Sequence, residues 1–111
     1  AQIHVSLFVD PDMEQIQASA IPGVDMIEIN TAHYAEEHIE DLRRIRMAAE
    51  KAKLLGLEIA AGHGLTHHNL PLLVSHVPDI VEYNIGHSII SRSIFVGLDS
   101  AIRDILHIIR S

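Results

Sequence analysis

A short apolar run that exits through Gly-His occurs twice in this chain, and the repetition limits the folds open to it. Ile59-Ala60-Ala61 leads into Gly62-His63-Gly64-Leu65-Thr66, and the run from Ile80 to Ile85 leads into Gly86-His87-Ser88. Each reads as a strand with a sharp exit, and the glycines let the backbone approach a ligand or adopt positive φ. Ile3 to Val9 and Val24 to Asn30 have the same β-branched, apolar strand character. The first of these is expected to be covered on both faces, as in parallel sheets.

Helical patterns fill the gaps. Asp10-Pro11-Asp12 stops the first strand and caps a helix over Met13 to Ala20. Thr31 to Ala35 reads as a loop before a long amphipathic helix, Glu36 to Leu55. Ile39, Leu42, Ile45, Ala49 and Ala52 recur along that helix every turn, Glu40 is spaced to pair with Arg44, and Gly56 stops it. Asn69 can cap a helix from Pro71 to about Val77. A short segment from Ser88 to Val96 precedes a last helix with Leu98, Ile102, Ile105, Leu106 and Ile109 on one stripe.

Strand and helix therefore alternate four times, which predicts an α/β fold with a parallel sheet and right-handed crossovers. Such a unit is an open three-layer sheet or half of an eight-stranded barrel. The short apolar strands and the extra segment after the fourth favour a TIM-barrel-type half-barrel, four of eight βα units. Residues 1–111 are expected to form a single domain.

Composition narrows the function. A hydrophobic fraction of 48% suits a folded protein, and no apolar run approaches membrane-spanning length. The absence of cysteine excludes a disulfide framework and thiolate chemistry and suits a cytoplasmic protein. A net charge of -7 argues against general nucleic-acid affinity, so a phosphate must be held locally by backbone amides and helix ends. The chain starts at Ala1, without methionine, which suggests an excerpt of a longer polypeptide.

His63, between two glycines at a strand end, is the candidate general acid or base. The competing role is a turn histidine that only bonds a neighbouring carbonyl. Gly86 and His87 form the candidate phosphate site, against a glycine chosen for tight packing with the histidine as a polar plug. Glu28 is the best carboxylate: it lies among Met26, Ile27 and Ile29, where desolvation favours the protonated form unless a partner is near. Met26, Glu28 and Asn30 share one side of their strand. His67 and His68 read as loop residues, His33 and His38 flank the long helix, and His4 and His107 read as structural. A metal site from His63, His67 and His87 lacks the usual ligand spacing, so no metal or cofactor is expected.

Val5-Ser6-Leu7-Phe8-Val9-Asp10, Ile27-Glu28-Ile29 with Thr31 and Tyr34-Ala35, Ala61-Gly62-His63-Gly64-Leu65-Thr66, His68-Asn69 and Asn84-Ile85-Gly86-His87-Ser88 also match a known pattern. In this order, over essentially the whole chain, they resemble the C-terminal half of the pyridoxine 5'-phosphate synthase family. The resemblance implies strands five to eight of a TIM barrel, in an octameric bacterial enzyme of vitamin B6 biosynthesis in the cytoplasm. That enzyme condenses 1-deoxy-D-xylulose 5-phosphate with 3-amino-2-oxopropyl phosphate to give pyridoxine 5'-phosphate, inorganic phosphate and water. By the same resemblance His63 is the proton donor and Glu28 a transition-state stabiliser, while Gly64, Gly86 and His87 bind the aminoketone phosphate.

The family's His-Thr-Gly after the glutamate strand is Asn30-Thr31-Ala32 here. Its remaining catalytic groups belong to the N-terminal half. The chain is thus expected to be inactive alone and to complete a barrel with an N-terminal half-barrel or further copies of itself. The alternative is a non-catalytic phosphate-binding or assembly module of the same shape.

Overall fold

A computed structural model of the chain describes residues 5–85 and 98–110. Four strands, β1 (Ser6–Val9), β2 (Met26–Asn30), β3 (Glu58–Gly62) and β4 (Glu82–Asn84), form one parallel sheet in the order β1-β2-β3-β4. Neighbours in space are neighbours in sequence, and right-handed crossovers in such an order return every helix to the same face. A doubly wound sheet instead reverses its order at a switch point. The architecture is an α/β pattern consistent with half of a TIM barrel.

The helices are α1 (Met13–Ser19), α2 (Ala32–Ala35), α3 (Asp41–Leu54), α4 (Leu70–His76) and α5 (Leu98–Arg110). Val9, Ile27, Ile29, Ile59 and Ala61 point from the strands into one core with Ile16, Ile45, Leu70 and Leu73. Ala48, Ala49 and Ala52 are 0% exposed on α3, and their small side chains bring that helix close to the sheet. Each buried isoleucine contributes about 1.5–3 kcal/mol over leaving it in water. Among the described residues no helix is long and apolar enough to cross a membrane.

The opposite face carries the alternate residues of each strand. There Phe8, Glu58, Glu82 and Asn84 are exposed, Glu28 and Asn30 half-buried, and Met26 and Ala60 buried. β1 is therefore covered on one face rather than both, with Phe8 56% exposed.

Three local expectations are corrected. Thr31 to Ala35 is not a loop, since Ala32–Ala35 forms a helical turn. The long helix begins at Asp41 rather than Glu36, because Glu37 takes a φ of 71° that no helix continues. Ile39 consequently leaves the apolar stripe and is 60% exposed. The shifted start also undoes the Glu40–Arg44 pair: Arg44 lies 3.6 Å from Asp41, and Glu40 pairs with His38 at 2.9 Å. The Ser88 to Val96 segment lies outside the described residues.

Candidate active site

The parallel register sets Asn30, Gly62 and Asn84 side by side at the C-terminal edge of the sheet. Glu28 sits one pleat deeper on the same open face, opposite Phe8 of β1 and Ala60 of β3. Its carboxylate leans toward β3: a Cβ at Gly62 would lie 2.7 Å from Glu28 Oε2 and 3.1 Å from Asn84 Cβ. The bare backbone of Gly62 lets Asn84 reach across β3, where its Nδ2 donates to Glu28 Oε1.

β3 ends in a turn of unusual backbone geometry. His63 has a φ of 88° and Gly64 a φ of 78°. The left-handed region costs a non-glycine residue about 1–3 kcal/mol and persists only where its surroundings enforce it. Thr31, 0% exposed, supplies that enforcement. Its hydroxyl lies 2.8 Å from the Gly62 carbonyl and 2.9 Å from the His63 carbonyl, and its amide donates to Gly62 O at 2.9 Å. The exposed His63 ring meets Phe8 edge-on with centroids 6.3 Å apart. Since β2 separates β1 from β3, that contact holds the imidazole over the open face near the strand of Glu28.

The loop after the turn is braced by its own polar groups. Asn69 accepts from the Thr66 amide at 2.8 Å and donates to the Gly64 carbonyl at 3.2 Å, and the Tyr34 hydroxyl donates to the Asn69 carbonyl. Burial pushes the Tyr34 hydroxyl above its ordinary pKa, so it stays a donor well into alkaline solution. Asn69 makes no side-chain cap on α4, contrary to its sequence assignment, because its amide is committed to this brace.

A cleft of about 280 Å³ is lined by Asp10, Asp12, Gln15, Asn30, His33, Asp41 and Arg44 among others. Its polar groups largely satisfy one another. His33 Nδ1 is 2.6 Å from buried Asp41, and Asn30 Nδ2 donates to Asp10 at 3.1 Å. Asp12 caps α1 through the Glu14 amide, whereas Asp10 bonds Asn30 and Gln15 instead of capping. Among the described residues no group of three metal-ligating side chains converges.

Residues 1–111 match the family model described as "Pyridoxal phosphate biosynthesis protein PdxJ". The chain belongs to the PdxJ family. It is 46% identical over 114 residues to pyridoxine 5'-phosphate synthase of Aquifex pyrophilus, covering 96% of this chain and 48% of that protein. Against the same-named protein of Coxiella burnetii (strain RSA 493 / Nine Mile phase I) it is 49% identical over 107 residues, 92% of this chain and 44% of the relative. The Akkermansia muciniphila protein of that name is 45% identical over 106 residues, with 92% and 43% covered. The chain spans about half the length of the curated relatives it matches.

Within this PdxJ chain, Glu28 lies on the open face of β2 and His63 follows β3 with its ring against Phe8 of that face, while a Cβ at Gly64 would point at Ala35 of α2. Gly86 and His87 lie outside the described residues. Sequence reasoning quoted Asn84 and Thr31 inside motifs and gave neither a role. Nothing local to Asn84 could reveal that role, since its link to Glu28 depends on the register of three strands. Thr31 left a fainter trace as a hydroxyl directly after the Glu28 strand.

Proposed function

We propose that residues 1–111 are a single-domain C-terminal half of a (β/α)8 barrel in a cytoplasmic, homo-oligomeric pyridoxine 5'-phosphate synthase. The reaction is the condensation of 1-deoxy-D-xylulose 5-phosphate with 3-amino-2-oxopropyl phosphate to pyridoxine 5'-phosphate. The observation that carries this reading is the shared placement of His63 and Glu28 on the open face at the C-terminal strand edge, where barrel enzymes build their sites.

His63 gives its proton to a departing oxygen, held over the face by the strained turn. Glu28, fixed on one oxygen by Asn84, offers the other to charge that develops in the transition state. Gly64, Gly86 and His87 hold the aminoketone phosphate, and binding of that handle positions the amine for attack on the carbonyl. The open face awaits an N-terminal half-barrel, which supplies the other catalytic groups.

The test joins this chain to the N-terminal half of the Aquifex pyrophilus relative and measures formation of pyridoxine 5'-phosphate from the two substrates. Turnover that His63→Asn abolishes while phosphate-ligand binding persists supports the reading. A folded joined protein that binds both phosphates without turnover supports a binding module instead.

A further inference from the structure

We propose that Asn84 is the positioning residue for the Glu28 carboxylate, acting across an intervening strand through the gap that Gly62 leaves. The inference rests on the reading that Glu28 faces the reacting molecules. Asn84 Nδ2 donates to the Glu28 carboxylate at Oε1. Oε2 lies over the Gly62 backbone, beside the turn that carries His63.

The chemistry suits orientation better than fold stability. The last torsion of a glutamate is broad, so an unanchored carboxylate samples many settings. One donor on one oxygen fixes the plane of the group and leaves the second oxygen for a ligand. A primary amide carries no charge and does not titrate, so it holds the carboxylate equally at every working pH. Asn84 is exposed and Glu28 half-buried, and a hydrogen bond so placed adds little to folding. Small residues on β3 are what make the span possible: Ala60 and Gly62 are the β3 partners of Glu28 and Asn30.

The experiment uses the joined enzyme. Asn84→Ala is expected to lower kcat by about 10- to 100-fold with KM within about twofold, since misplacement of a reacting group costs rate. Asn84→Asp is expected to move the acid limb of the kcat–pH profile upward by about one pH unit, because two facing carboxylates share a proton. With the unsubstituted enzyme active, an unchanged kcat and profile in both variants overturns the proposal. A second measurement does not depend on turnover: the side-chain amide resonances of Asn84 should shift on Glu28→Ala. If the joined enzyme makes no product, the functional reading falls, and these resonances alone decide whether Asn84 holds Glu28. Resonances that stay in place sink the positioning role.

Discussion

The carboxylate of Glu28 occupies the space that a side chain at Gly62 would need, with Oε2 2.7 Å from the position of a Cβ there. The closest conflict involves the far end of a flexible side chain, which can swing away, and Asn84 Cβ at 3.1 Å need give only a few tenths of an ångström, so the sheet can absorb the change and the carboxylate cannot stay. Gly62→Ala is therefore expected to leave the melting temperature within a few degrees while lowering turnover of the joined enzyme by about 10²-fold. Thermal unfolding and steady-state kinetics on one preparation check the pair of outcomes. A fall in stability with full activity would count against it.

His63 and its φ of 88° separate function from folding. Glycine adopts this geometry without the cost that alanine retains, so His63→Gly should be about 1 kcal/mol more stable than His63→Ala, although both remove the imidazole. Urea titration of the two variants gives the difference directly.

Thr31 donates to carbonyls of the Gly62-His63 turn from a fully buried position. Thr31→Val keeps the shape and removes the donor, which should cost about 1–3 kcal/mol. Thr31→Ser should recover most of that loss in the same denaturation assay.

Gly64 combines a φ of 78° with a Cβ position 2.6 Å from Ala35 Cβ. Gly64→Ala should destabilise by about 1–3 kcal/mol through strain and overpacking together. Adding Ala35→Gly removes the overpacking and leaves the backbone strain, so the double variant should recover only part of the loss.

Burial raises the hydroxyl pKa of Tyr34 and of Tyr83 above the ordinary 10.0. The unfolded chain thus ionises first: their contribution is intact below about pH 10 and is lost as pH rises through the folded-state values. Tyr34→Phe with Tyr83→Phe should flatten the alkaline arm of a stability–pH curve, even where the loss of the Asn69 contact lowers the plateau.

The strands and the placement of Glu28 and His63 were legible because both are local. Alternation along Val24 to Asn30 put Glu28 and Asn30 on one side, and glycines around His63 marked a turn that needs positive φ. The start of α3 was misread for an equally physical reason: the residues from Glu36 to Glu40 have ordinary helical chemistry, and only the left-handed Glu37 ends the pattern. Asn84 was beyond local reading. Its importance arises from which residue of β4 falls beside Gly62, and register is a property of three strands packed together.

Because the Asn84–Glu28 link runs over the top of β3, residues 28, 62 and 84 cannot change independently. A larger residue in the middle strand becomes tolerable only after one flanking side chain shortens, and a shorter flank loses its grip unless the other lengthens. Substitutions at these three places should show strong epistasis, and lineages that drift here should do so through paired replacements. The four-stranded sheet thus carries, in three small choices, a coupling that stretches farther than any single strand.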